Sequence, residues 1–260
     1  MLPTGQTSRI LALAGVVALA SHLKADVLIS ETTSGAAAGR DVRATRLTMI
    51  KDLKMRVEMH GSGEAVVALY DAAAGEEIDL DSKKQEARIR KFAAIREAAE
   101  KAVPEEWVKS SIQPTGERET IAGAACEEYT FTIHVPVVKD GKPTLVMRGK
   151  ACVAKETSGA EEYRNFVAAV GRTGFVMNYT SNNIVLVSLA RAETTLYELL
   201  SGVGGIPLRI ERNIRFEGGW LAGLLNRSAG SRSNLVTRIS TGPLPNEDFS
   251  IPAAWESVNK

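Results

Sequence analysis

Apolar and polar residues alternate with a period of two through most of this chain, a pattern that predicts strands. Residues 26–33 read as the first, followed by a loop over 34–39. Two more cover 42–51 and 53–60; in the second, Leu53, Met55, Val57 and Met59 point to one side and Lys54, Arg56 and Glu58 to the other. Gly61-Ser62-Gly63 turns the chain into a strand over 65–70, and residues 71–75 turn it into another over 77–80, so the opening third is a β-meander. Asp81-Ser82 reads as a turn into a short strand ending at Ile89; a helix opened by a capping box from Ser82 to Gln85 is the alternative.

The period then becomes helical. Phe92, Ile95, Ala99 and Ala102 share one face of a helix that ends before Pro104, and its thin, alanine-rich stripe suits a helix that lies on a surface or covers an opening. Trp107 and Ile112 lead back into sheet. Tyr163, Phe166, Val167 and Val170 mark a second helical stretch within 159–171. A third, over 184–200, is apolar around more than half its circumference and must be buried or lie on an apolar surface. Gly202-Val-Gly-Gly205 ends it. Ile206, Leu208, Ile210, Ile214 and Phe216 return to strand periodicity, 234–241 is the last full strand, and Phe249, Ile251 and Trp255 pin an extended tail.

The two cysteines fall in one hairpin. Tyr129, Phe131 and Ile133 alternate with Thr130, Thr132 and His134, Asp140-Gly141 supplies a tight turn, and 145–153 is the return strand. Counting back from a turn near 139–141 brings Cys126 and Cys152 to roughly opposite positions, where antiparallel Cα separations of about 4.5 to 5.5 Å suit a disulfide. Two separate buried thiols are the alternative. A redox pair is not indicated, because the spacing is not C-x-x-C.

The start of the chain changes the picture. Arg9 precedes an apolar run over 10–20, the length of a signal-peptide core and too short for a membrane span. Ala18-Leu19-Ala20 fits a cleavage site, with Leu23-Lys24-Ala25 as a second candidate. The expectation is a signal peptide over 1–20, cleaved as late as 25, a single domain over 26–256, and a periplasmic or secreted location in which a disulfide is chemically reasonable. No later stretch is apolar enough for a transmembrane anchor. Of the 32 basic residues only Arg9 lies within 1–20, leaving 31 against 31 acidic ones. That balance gives no electrostatic case, over the chain as a whole, for nucleic acid or for binding an anionic membrane.

The C-terminal run Val236-Thr-Arg-Ile-Ser-Thr-Gly-Pro-Leu-Pro-Asn-Glu-Asp-Phe-Ser-Ile-Pro-Ala-Ala-Trp255 resembles a bacterial family of exported proteins known only as a domain of unknown function, numbered 4412. Gly116-Glu-Arg-Glu-Thr-Ile-Ala-Gly-Ala-Ala-Cys-Glu-Glu-Tyr129, the Tyr70-Asp71 turn, and Val153-Ala154-Lys155 before a helix containing Phe166 extend the likeness over most of the chain. That family is similar in fold to the LolA, LolB and LppX-like carriers. The resemblance implies an α+β architecture: a large antiparallel sheet curved into an incomplete barrel, with helices packed on or plugging a concave face that can hold acyl chains.

Catalytic motifs are not apparent. His22, His60 and His134 sit in separate segments, so no metal site is expected, although His60 and His134 could meet across a sheet. No serine lies in a G-x-S-x-G elbow, the glycines at 202–205 lack the setting of a dinucleotide loop, and the paired glutamates read as solvated strand faces. No cofactor is expected. The leading expectation is a non-enzymatic binding protein that holds a lipid or acylated peptide between the sheet and the helices near 92–103 and 184–200. Its candidate ligand-binding residues are Phe92, Ile95, Phe166, Val170, Leu189, Leu196, Tyr197 and Leu200. The alternative is a structural or partner-binding module of the cell envelope with a dry core, docking on another envelope protein.

Overall fold

The computed structural model describes residues 25–259 apart from 38, 39, 62, 64, 140, 174, 177, 178, 180–182 and 228; the expected signal peptide, His22 and the Asp140 of the hairpin turn lie outside them. Six strands make the N-terminal meander: β1 (Val27–Ala37), β2 (Arg40–Lys51), β3 (Lys54–His60), β4 (Val66–Asp71), β5 (Glu76–Asp81) and β6 (Glu86–Lys91). After α1 (Phe92–Ala102) come β7 (Lys109–Ile121), β8 (Ala124–Pro136) and β9 (Thr144–Ala154). Helices α2 (Ala160–Thr173) and α3 (Ile184–Val203) precede β10 (Ile206–Glu217), the single turn α4 (Ala222–Leu225), β11 (Gly230–Thr241) and β12 (Glu256–Asn259).

All twelve strands form one sheet in the order β12-β6-β5-β4-β3-β2-β1-β11-β10-β9-β8-β7. Every neighbour is antiparallel except β12, which adds a parallel strand beside β6. The edge strands β12 and β7 do not pair, so the sheet is not closed into a barrel. The fold is α+β.

Chain connectivity requires the sheet to curl. Ten strand spacings separate β6 from β7, about 48 Å if the sheet were flat. The chain covers that gap with residues 92–108, of which α1 takes eleven. Eleven helical residues advance about 16 Å and six extended ones at most about 21 Å. The edges must therefore turn towards each other, and α1 bridges the space between them.

The helices fill the inner face. Helix α3 packs mainly on β8 and β9, α2 on β2 and β10, and α1 on β6 and α3. One core gathers Ile95 and Ala99 of α1, Val103 just after it, Val187, Leu196 and Leu200 of α3, and Phe131, Ile133, Leu145 and Met147 of the strands beneath. A second joins Ile29, Ile50, Val57 and Tyr70 to Phe92, Phe166, Phe175, Leu208 and Val236. Burial on both sides explains why α3 is apolar around most of its circumference. Asn183 caps its first turn, accepting from the Val185 amide at 3.0 Å, and Gly204 ends it in the left-handed region at φ 82°.

Cys126 and Cys152 are bonded, with Cα atoms 5.4 Å apart. They are diagonal rather than directly opposite. The hairpin closes at Pro136 and Thr144, which centres it on residue 140 and sets Cys152 against Glu128, with Cys126 two residues along on the same face. The loop expected over 34–39 is also corrected, since residues 34–37 continue β1 and pair with β2 and β11. Small residues there serve close approach: a side chain at Gly35 would stand 2.1 Å from the Ser231 carbonyl oxygen. Strand β11 starts at Gly230, four residues earlier than expected, for the same reason: partners on both sides hold residues of weak strand preference. The tail expected to be merely extended ends in β12.

Candidate functional site

A cavity of about 220 Å³ lies between the inner face of the sheet and helices α2 and α3. Its floor takes alternate, inward-facing residues from six adjacent strands: Ile29 of β1, Thr48 of β2, Met55 of β3, Tyr70 of β4, Ile210 of β10 and Val236 of β11. Tyr163, Phe166 and Val170 of α2 and Tyr197, Glu198 and Ser201 of α3 form the roof. Phe175 closes one side, edge-on to Tyr70 at 5.4 Å between ring centres and tilted against Phe92 at 4.7 Å.

Three of the eight residues singled out in the sequence, Phe166, Val170 and Tyr197, line this space. Phe92 lies behind it against Phe175. Ile95, Leu196 and Leu200 are buried in the core over β8 and β9, and Leu189 packs at its margin. Side chains at 193, 194, 197, 198 and 201 of α3 turn toward the cavity or the strands that floor it, whereas Leu196 and Leu200 turn to the other half of the sheet.

One wall is polar and continuous. Arg212 of β10 donates through Nε to Glu193 of α3 at 3.0 Å and through Nη1 to the side-chain oxygen of Asn234 on β11 at 2.7 Å. Asn234 donates to Glu31 at 3.0 Å and to Thr33 Oγ1 at 2.8 Å on β1. Glu31 faces Arg46 of β2 at 3.5 Å, and Arg46 reaches the Tyr197 hydroxyl at 3.4 Å. The chain thus leaves α3, crosses four neighbouring strands and returns to α3 one turn later. Burial disfavours the Arg46 charge, but the Tyr197 oxygen and Glu31 outweigh it and hold the guanidinium charged. Burial raises the Tyr163 hydroxyl well above its ordinary range. Glu198 is also raised, by burial and then by Glu105.

A second buried cluster backs Tyr70. Glu77 of β5 is pushed up to about 7 by burial, although Arg90 stands 3.2 Å away. Arg90 is shared with Asp79 at 3.1 Å and donates to the Tyr179 carbonyl at 2.5 Å, so its charge is only partly available to Glu77. The sequence carries little sign of these groups. Arg46 and Glu77 look like ordinary polar positions of alternating strands, whereas Glu193 and Glu198, acids inside the most apolar helix, stand out.

The histidines do not meet: His60 is on β3 and His134 on β8, six strands away. Among the described residues the grouping with metal-ligand character is Glu119 with Cys126 and Cys152, and both sulfurs are committed to the disulfide.

No family model matches the chain, and no curated protein matches it. Solved structures are similar only distantly. An uncharacterized conserved protein from Thermus thermophilus is 9% identical, with 92% of each chain covered and a TM-score of 0.40. PNGF-II is 10% identical over 91% of this chain and 31% of its own, with a TM-score of 0.35. A putative outer membrane lipoprotein-sorting protein domain from Vibrio parahaemolyticus is 7% identical over 86% of this chain and 89% of its own, with a TM-score of 0.29. Likeness at this level carries no functional argument, and the likeness to the domain family remains a resemblance of the quoted residues alone.

Proposed function

We propose that this is an exported, non-enzymatic binding protein that holds the apolar part of a lipid or acylated peptide between the curled sheet and helices α2 and α3. The observation that carries the reading is the cavity itself: a mostly apolar space, roofed by Phe166, Val170 and Tyr197 and floored by six strands. Its size lies just under the range of roughly 300 to 1,000 Å³ usual for small-molecule sites, so it suits a single chain rather than a whole multi-chain lipid. Burying about eight methylenes at roughly 0.8 kcal/mol each would favour binding by about 6 kcal/mol before the costs of ordering. Export follows from the N-terminal pattern, and the disulfide accords with an oxidising compartment.

The rival reading is an envelope module that docks on a partner through an exposed apolar patch or an unpaired strand edge, and for the second of these routes β7 is a poor edge. Pro114 removes a donor, the ladder shifts register between Pro114 and Arg118, and Glu117, Arg118 and Glu119 load the strand with charge. The deciding experiment is mass spectrometry of an organic extract of the protein recovered from its exported compartment, beside a mock purification. A stoichiometric acyl species supports the proposal and names the ligand class. A protein recovered empty, which also takes up no fluorescent fatty acid, overturns it in favour of the partner-binding module.

A further inference from the structure

The connection between β10 and β11 presents an apolar tip to solvent. Its sequence, Gly218-Gly-Trp-Leu-Ala-Gly-Leu-Leu225, is strongly apolar yet exposed, with Trp220 86% exposed and Leu224 55%. Beside it, at the same end of the sheet, the turn between β8 and β9 exposes Val138 at 40%. The two turns touch, because the Lys142 stem lies against Gly218 and Gly219.

The tip is held in place. The Asn226 side chain pairs with both backbone groups of Phe216, accepting from its amide and donating to its carbonyl, each at 2.8 Å. Ala222 is buried and Leu225 packs against the α1–α3 core. Beside those two anchors, Trp220 just before the single turn and Leu224 within it stay exposed.

Charge around the tip is one-sided in a chain that is otherwise balanced. Lys139, Lys142, Arg148, Arg215 and Arg227 surround it against Asp140 and Glu217 in the sequence. Glu217 is paired with Arg148 at 3.2 Å. Lys139, Lys142 and Arg227 are exposed and form no ion pair among the described residues. Tryptophan and leucine ringed by lysine and arginine is the composition that settles at the interface of an anionic bilayer, the ring at headgroup depth and the bases on phosphate. The shape also favours a bilayer. A convex tip with three apolar side chains falls far short of the roughly 800 Å² per partner of a stable protein interface.

We propose that the β8–β9 and β10–β11 turns form a membrane-docking tip, with Trp220, Leu224 and Val138 entering the interface and Lys139, Lys142 and Arg227 contacting anionic headgroups. Docking is weak and reversible. Strands β10 and β11 also carry Ile210 and Val236 on the cavity floor, so the docked end and the cavity share two strands.

The test is sedimentation of the exported protein with vesicles of phosphatidylglycerol and phosphatidylcholine, and with phosphatidylcholine alone. Wild type should sediment with the anionic vesicles, less so in high salt, and brominated acyl chains should quench its fluorescence, a signal absent in Trp220→Phe. Trp220→Ser with Leu224→Ser, and separately Lys139→Glu with Lys142→Glu, should each weaken binding by roughly tenfold or more. Unchanged melting temperatures would show that the exposed substitutions leave the fold intact. Equal sedimentation of wild type and both variants, or no binding to either vesicle, would overturn the proposal. So would self-association that the tip variant abolishes while vesicle binding is absent, which would make the tip a contact between copies of the chain.

Discussion

Glu193 and Tyr197 stand one turn apart on α3, and an arginine from the sheet holds each: Arg212 donates to Glu193 at 3.0 Å and Arg46 to Tyr197 at 3.4 Å. Between the arginines run Asn234 and Glu31, so the helix is fixed over the cavity at two points by groups that are themselves bonded to each other. The Arg212–Glu193 end is almost wholly buried, with 9% and 7% of the two side chains exposed. Removing one partner there strands the other charge. Arg212→Ala should cost about 3 to 5 kcal/mol in urea unfolding, whereas Arg212→Met with Glu193→Leu should recover most of that loss.

Glu77 should give the protein a pH-dependent stability. Its folded value is about 7 against an ordinary 4.5, because burial outweighs the shared Arg90. Between those values the folded state keeps a proton that the unfolded chain releases. The stabilisation is therefore present below pH 4.5 and is lost as pH rises through 7, by up to about 3 kcal/mol. Glu77→Gln should flatten that slope and be more stable than wild type at pH 8, as read from denaturant midpoints at both ends of the range.

Filling the cavity should separate binding from folding. Val170→Trp adds bulk from the roof, where the side chain is only partly buried and α2 can absorb it, and should abolish uptake of a fluorescent fatty acid with little change in melting temperature. Leu196→Ala probes the other half of α3. Its side chain is fully buried over β8 and β9, so the substitution should cost about 2 to 5 kcal/mol of stability and leave fatty-acid uptake per folded molecule unchanged.

The disulfide closes a loop of 26 residues within the hairpin. Replacing both cysteines by serine should cost about 3 kcal/mol, chiefly by freeing the unfolded chain. Comparing denaturation of the variant with that of the wild type under oxidising and reducing conditions checks this; equal midpoints throughout would contradict it.

Local pattern made much of this legible. Helix α1 begins and ends where Phe92 and the Val103-Pro104 boundary place it, and the β3 alternation puts Met55 and Val57 in the core. What sequence periodicity could not reveal depends on neighbours distant in the chain. Gly35, Ala36 and Ala37 have poor strand preference and are held in β1 by the two flanking strands. The same holds at the cavity. Aromatic and aliphatic spacing identified Phe166, Val170 and Tyr197, but which side of α3 faces the cavity was set by the partners of Glu193 and Tyr197 across the sheet. Leu196 and Leu200 have the same composition and face the other way.

The pairing of β1 with β11 has a consequence in time. The first strand made is completed by one that emerges about 200 residues later, and this seam, from Val27 with Thr241 to Ala37 with Gly230, joins the meander to the rest of the sheet. Contacts so remote in sequence form slowly. While the chain is being made, the open side of β1 must wait unpaired, the state in which a β protein is most exposed to association with other chains. The run from Glu31 to Ala36, with its threonines, serine and glycine, makes much of that waiting edge weakly apolar. In pulsed hydrogen exchange during refolding, the amides that bond β1 to β11 should gain protection after those within the β3–β6 meander.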